Sequence, residues 1–369
     1  MNLPEVPRSL FLHAPIRRKP ADVLRRMAEL VDDDTLPGAP QAALERRLAE
    51  LLGKEAALLF PTGTMAQQVA LRVHAARRAR SAFAAHPQTH LDVWEEQGYA
   101  VVHGLRLHRA GDRNELMTRA DLEAIAEPLA AVVWELPQRD LGGLLPEWDD
   151  LRAQIDLARD RGAAAHLDGA RLWEAQTYYR RPFHEIAGLF DSVYVSLYKA
   201  LQGLSGGVLL GDAETVAEAG VWLARLGGRA LEPWPQALAA LAGLDTLLPR
   251  MADFREHAIA IAAAINADGL AYAYPDPPQT PMFHVHLPAG RAAVAAAGAA
   301  MLADQGIQLF PRVRSAPDPR RSSFEVTVGE NAMEFTPDEV AGLVRELVRR
   351  SRAGAEGEDL EVGGGRAGE

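Results

Sequence analysis

The 369-residue chain contains no cysteine. This excludes disulfides, thiolate nucleophiles and cysteine-ligated zinc or iron–sulfur centres, so any chemistry must come from oxygen and nitrogen side chains or from a cofactor. Long apolar stretches are also missing. No uncharged run reaches the ~18 residues that a membrane span requires, and the first residues lack the charged start, apolar run and small-residue cleavage site of a secretory signal. The expectation is a cytoplasmic protein without a membrane partner. Positive charge is in deficit, with 39 Lys and Arg against 50 Asp and Glu and a formal net charge of -11. Such a surface repels phosphate backbones, so nucleic acid is not an expected partner. There is no internal repeat.

What is present describes an ordinary globular composition, 48% hydrophobic and 24% charged. The length exceeds the usual size of one hydrophobic core and predicts two packed units. Residues 21–31 and 41–52 carry apolar positions at helical spacing. Short apolar runs then alternate with helical ones: 56–60, 99–103, 131–134, 163–167, 193–197 and 207–210. Several of these are apolar on both faces, as strands covered by helices on each side must be, which predicts an α/β domain with a mostly parallel mixed sheet. Near residues 244–250 the alternation gives way to Ala-rich helices, with strands expected at 282–286 and 323–328 and a closing helix capped by Thr336 with Pro337 in its first turn. The expected organisation is an N-terminal segment with helices over 1–45, a large α/β domain over 46–245, a small α+β domain over 246–350, and a Gly-, Ala- and Glu-rich tail over 351–369 that is expected to be disordered.

The candidate chemistry lies at strand ends. His166-Leu167-Asp168-Gly169-Ala170-Arg171 closes an apolar strand at its carboxyl end, where open α/β sheets place their ligands. A carboxylate there must meet a cation or strong donors, and a protonated pyridine nitrogen is one such cation; a helix cap is the structural alternative for Asp168. Some thirty residues later Lys199 ends another apolar run and is followed by Gly203-Leu204-Ser205-Gly206-Gly207. A desolvated lysine is an amine nucleophile toward an aldehyde, whereas a solvated one is only a surface cation. Upstream, Phe60-Pro61-Thr62-Gly63-Thr64-Met65 joins a strand to a helix and offers hydroxyls, glycine and helix N-terminal amides to a phosphate.

These blocks, in this order, together with Gly53-Lys54-Glu55-Ala56-Ala57 and Glu135 with Gly142-Gly143, resemble the threonine aldolase and β-eliminating lyase family of fold-type-I pyridoxal-phosphate (PLP) enzymes over roughly residues 20 to 345. The resemblance implies a large domain with a mostly parallel sheet and a small C-terminal α+β domain, Lys199 bonded to PLP as a Schiff base, Asp168 on the ring nitrogen, and Thr62, Gly63 and Thr64 at the phosphate. It further implies His90 over the ring as a catalytic and cofactor-binding group and Arg171 as a residue that binds both the cofactor and the substrate carboxylate, and it suggests a homodimer or homotetramer. A hydrogen-bonded surface histidine is the alternative for His90. His86 lies four residues before His90, but Pro87 argues against a helical metal pair and no metal is expected.

Three blocks depart from the family pattern. Where the family has Glu-Asn-Thr-His-Asn, this chain reads Glu135-Leu136-Pro137-Gln138-Arg139, so an amide that cannot act as a base near neutral pH replaces a histidine near the substrate hydroxyl. The usual Ser-Lys pair becomes Tyr198-Lys199. The late strand that normally supplies a second carboxylate-binding arginine reads Ser323-Phe324-Glu325-Val326-Thr327-Val328, leaving Arg312, Arg314, Arg320 and Arg321 as candidates, with Arg321 closest to the strand. The N-terminal segment offers His13 and Arg17 as further substrate contacts. The expected activity is aldol cleavage of a threonine-like β-hydroxy amino acid to glycine and an aldehyde, with His90 as the base. β-Elimination or transfer on another amino acid is the second reading, and a PLP-fold binding protein without turnover the third.

Overall fold

A computed structural model describes residues 8–14, 16 and 19–363, with side chains described to Ala353. Contacts divide the chain into two compact units, residues 23–250 and residues 1–22 with 251–369. The expected N-terminal segment is therefore shared between them. Arg17 lies outside the described residues.

The larger unit is built on seven strands: β1 (Ala56–Phe60), β2 (Ala82–Ala85), β3 (Arg106–Arg109), β4 (Ala131–Glu135), β5 (Ala164–Gly169), β6 (Ser192–Ser196) and β7 (Gly207–Gly211), in the order β1-β7-β6-β5-β4-β2-β3. Only β7 runs against the others, pairing antiparallel with both β1 and β6. Strands β5, β6 and β7 are buried at every residue because helices cover the sheet, as their apolar runs require. Helix α1 (Gly63–Arg78) follows β1 directly and buries Ala66, Gln67, Val69, Ala70 and Val73 among its inward residues. Thr62 caps it, its Oγ1 accepting from Met65 N at 3.2 Å. Before β1 stands a helix at Ala39–Leu52 that ends on Gly53, whose left-handed backbone (φ 61°) closes the last turn.

One expected strand is corrected. Residues 99–103 are not extended; the chain makes a helical turn at Gly98–Val101, and β3 forms only at Arg106–Arg109. A five-residue apolar run does not distinguish strand from helix. Here Tyr99 turns inward against Phe83, ring centroids 5.2 Å apart, while Val101 and Val102 are exposed. Strand β3 escaped the sequence pattern because it is an edge strand whose two arginines face solvent.

In the smaller unit, strands Tyr272–Tyr274, Met282–Leu287, Ser322–Thr327 and Arg314–Ser315 form an antiparallel sheet, with helices Met251–Ala267, Arg291–Gln305 and Pro337–Gly363. A two-residue strand at Arg8–Ser9 pairs with Ile307–Gln308, and Asn331 Nδ2 donates to Phe11 O at 3.0 Å, so the N-terminal residues belong to this unit. Thr336 Oγ1 accepts from Glu339 N at the start of the last helix. That helix runs past Ser351, where order was expected to end, and its backbone stays helical to Gly363. The Gly, Ala and Glu content led to the disordered expectation; its Gly opposes helix, but its Ala and Glu favour it. Among the described residues no helix is long and apolar enough to cross a membrane.

Candidate active site

The carboxyl ends of β4, β5 and β6 carry the polar residues that the sequence singled out. Asp168, near the end of β5, is 1% exposed. It stands in register with Glu135 on one side and Tyr194 on the other, so the three side chains share one face of the sheet. Its carboxylate accepts two hydrogen bonds, both from neutral donors: Gln67 Nε2 to Oδ2 at 2.9 Å and Ala170 N to Oδ1 at 3.0 Å. Among the described residues it forms no ion pair. The Ala170 bond gives Asp168 part of the local role that a cap would have, but Arg171, not Asp168, is the N-cap residue of the helix Leu172–Tyr179.

Helix α1 runs down this face from the strand ends. Its first residue, Gly63, lies against the buried Tyr194 ring; a Cβ there would come within 1.9 Å of Tyr194 Oη, so no larger residue fits. One turn on, Gln67 meets Asp168. Further down, His74 Nε2 and His166 Nδ1 each lie 2.7 Å from Ser192 Oγ. Burial holds both imidazoles neutral, their pKa values lowered to about 3. Neither histidine is therefore a cation that could offset the charge of Asp168. At the top of α1 the first-turn N–H groups of Gly63 and Thr64 have no intrahelical acceptor and suit an anion, while the Thr62 hydroxyl is engaged as the cap.

Lys199 lies in the loop between β6 and β7. Leu197 N donates to Gly206 O at 3.2 Å, and Gly206 takes a left-handed backbone (φ 94°) with its Cα facing Phe60 O so closely that a Cβ would lie 2.9 Å away. The glycine run is therefore what folds this loop back and allows β7 to return antiparallel. Lys199 is buried, and burial together with the nearby Arg171 charge lowers its pKa to about 8, against the opposing pull of Asp168 and Glu135. An amine in this state is available as a nucleophile close to neutral pH. Lys54, by contrast, uses its ammonium to donate to Phe190 O at 2.5 Å.

His90 opens a short helical turn, His90–Val93, and its Nδ1 lies 3.0 Å from Glu95 Oε1. Glu95 Oε2 in turn accepts from Gln68 Nε2 at 3.1 Å. With Nδ1–H assigned to Glu95, Nε2 of His90 is left as an acceptor. His86 is occupied locally, Nδ1 accepting from Gln88 N and Nε2 donating to Glu115 O. Gln138 is buried and donates Nε2–H to Glu135 Oε2 at 3.2 Å and to Gln88 O at 3.3 Å; Arg139 N donates to Glu135 Oε1. Burial and the neighbouring Asp168 push the Glu135 carboxyl up to about 7. Burial also raises the Tyr198 phenol.

The structure thus collects Thr62, Gly63, Thr64, His90, Gln138, Asp168, Arg171 and Lys199 in one unit. His13 and Arg321 belong to the other. His13 packs edge-on against Phe11, and Arg321 lines an open cavity of about 740 Å³ with Tyr272, Tyr274 and His286. Gln67, Gln68 and Glu95 were not singled out by sequence reasoning. A signal was present: two adjacent glutamines ahead of the apolar run Val69-Ala70-Leu71 on a helix whose inward residues are mostly apolar.

Comparison with known proteins identifies relatives over most of the chain. The family model described as beta-eliminating lyase matches residues 20–288. Low-specificity L-threonine aldolase 1 of Arabidopsis thaliana is 30% identical over 277 residues, covering 71% of this chain and 76% of that one. Among solved structures, a candidate L-allo-threonine aldolase of Listeria monocytogenes is 32% identical with a TM-score of 0.87, over 94% of this chain and 97% of the other. A candidate aromatic amino acid beta-eliminating lyase/threonine aldolase of Exiguobacterium is 31% identical with a TM-score of 0.86, over 94% and 98%. The fold is that of the fold-type-I PLP-dependent enzymes.

Proposed function

Since the chain belongs to the beta-eliminating lyase family, we propose that it is a PLP-dependent carbon–carbon lyase that cleaves a threonine-like β-hydroxy-α-amino acid to glycine and an aldehyde. One observation carries the cofactor assignment: Asp168 is a buried carboxylate whose hydrogen bonds, among the described residues, come from neutral donors, in a site that also holds a buried lysine with its pKa lowered to about 8. A cationic ring nitrogen supplies the charge that Asp168 lacks. Bound at Lys199, PLP would supply an electron sink for the bond broken at the amino acid's α-carbon.

The protein's residues divide the remaining work. Lys199 would hold the cofactor through its amine. Asp168 would bind the ring nitrogen and favour its protonated form. Gly63 and Thr64, at the start of α1, offer amides to the phosphate. Arg171, buried beside Lys199, fits the substrate carboxylate, because its planar fork matches a carboxylate in two hydrogen bonds. His90, held through Nδ1 by Glu95, presents Nε2 to the β-hydroxyl proton. Gln138, bonded to Glu135, orients a hydroxyl without removing its proton.

The relatives named as threonine aldolases support aldol cleavage over elimination. Incubation with L-threonine, L-allo-threonine and serine, following aldehyde, ammonia and keto acid separately, tests the choice. Aldehyde and glycine in equal amounts are expected from the β-hydroxy substrates. Ammonia with keto acid would favour elimination, and no product from any substrate would favour a binding protein. The exposed Val101 and Val102, close in sequence to His90, support a homo-oligomer in which a second copy covers this segment; sedimentation of a monomer would contradict that part of the proposal.

A further inference from the structure

Gln67 and Gln68 are consecutive residues in helix α1, 1% and 6% exposed. Apolar side chains are the usual occupants of adjacent buried helical positions. Each glutamine here donates its carboxamide N–H to a carboxylate of the site: Gln67 to Asp168 Oδ2 at 2.9 Å, Gln68 to Glu95 Oε2 at 3.1 Å. The two acids act on different things. Asp168 faces the proposed ring nitrogen, whereas Glu95 holds Nδ1 of His90 at 3.0 Å.

A buried carboxylate without donors takes up a proton or turns to another partner. An amide N–H fixes its direction and leaves its negative charge in place, which a lysine or arginine at the same position would neutralise. Gln67 Oε1 accepts from no group among the described residues, so donation to Asp168 is the polar contact that this side chain makes. The place of Gln68 is shaped from the other side. A Cβ on Gly98 would come within 2.5 Å of Gln68 Nε2, so glycine at 98 leaves room for the carboxamide.

We propose that Gln67 and Gln68 are positioning residues with separate targets, Gln67 aiming the Asp168 carboxylate at the cofactor ring nitrogen and Gln68 fixing the Glu95 carboxylate that orients His90. This rests on the reading of Asp168 and Lys199 as a PLP site. The test compares wild type, Gln67→Leu, Gln67→Glu and Gln68→Leu by PLP titration, steady-state kinetics with L-threonine and thermal unfolding of the apoprotein. Gln67→Leu should weaken PLP binding about tenfold or more, the effect of losing a hydrogen bond to a charged group. Gln68→Leu should lose less PLP affinity than Gln67→Leu while kcat falls about tenfold, since its target is the histidine and not the ring nitrogen.

Gln67→Glu keeps the volume of the side chain and serves if the leucine variant fails to fold. Its carboxyl is an acceptor when ionised and a donor when protonated, so its PLP affinity, relative to wild type at the same pH, should recover as pH falls. Lost packing would produce no such recovery. Wild-type PLP affinity in both Gln67 variants would overturn the proposal. So would losses of affinity and kcat in all variants that simply follow their losses in melting temperature. If the wild type itself takes up no PLP, the cofactor reading falls and this proposal with it; if it binds PLP and the Gln67 variants bind equally well, the proposal falls alone.

Discussion

The two sides of the site are built differently. One side is made of strand ends and a helix start: Asp168 at the end of β5, Lys199 just past β6, and Gly63 and Thr64 at the head of α1. The other is made of a short helical turn carrying His90 and the loop after β4, where Gln138 and Arg139 bond back to Glu135. Sheet register and buried helix contacts hold the first side, and few alternatives exist for it. The second combines turn hydrogen bonds of the backbone, such as Trp94 N to His90 O and Gln138 N to Leu144 O, with side-chain bonds to Glu95 and Glu135, outside the strands of the sheet. Gln138, a departure from the expected family pattern, falls on this second side.

Substitutions sharpen that contrast. The largest effect is expected from Lys199→Ala, which removes the amine proposed to hold the cofactor; turnover should fall by at least about 10³-fold, measured as aldehyde release. Asp168→Asn retains the shape and removes the charge, and should cost on the order of 10²-fold in kcat through loss of preorganised electrostatics. Beneath Asp168, Ser192→Ala takes away the hydroxyl that both His74 and His166 bond, and should destabilise the folded protein by about 1–3 kcal/mol in denaturant unfolding.

The smallest effect concerns the loop side and shows itself only against pH. Glu135 in the folded protein holds its proton up to about 7, whereas its ordinary value is 4.5. The folded state therefore binds a proton there that the unfolded chain has already released, and stability from this group is complete below about pH 4.5 and lost as pH rises through 7. Wild type should lose stability relative to Glu135→Gln over that interval. The buried histidines act in the opposite sense. With folded values near 3 and an ordinary value of 6.5, their contribution is complete above pH 6.5 and is lost as pH falls toward 3. An acid limb unchanged by His74→Leu would contradict this assignment.

How much of this was legible in the sequence follows the same division. The apolar runs at 131–134, 163–167, 193–197 and 207–210 became β4 to β7, because a strand buried on both faces leaves a continuous apolar signature. Asp168 and Lys199 could be read because they end such runs. Strand β3 and the turn at Gly98–Val101 were not legible: a polar edge strand carries no alternation, and Tyr99 and Val101 are equally apolar in sequence although only one of them is buried. The glutamines of α1 and the acid Glu95 depend on contacts between residues 27 and 101 positions apart, which no local pattern encodes.

The central claim is that Lys199, in a site completed by Asp168, holds the cofactor. The chain has three lysines, Lys19, Lys54 and Lys199, and Lys54 is committed to the Phe190 carbonyl. Reductive trapping of added PLP with borohydride, followed by peptide mass mapping, reads the attachment site directly. A stoichiometric pyridoxyl label is expected on the peptide containing Lys199, sharply reduced in Asp168→Asn at limiting PLP. A label confined to Lys19 or Lys54, or an Asp168→Asn protein labelled as well as wild type, would contradict it.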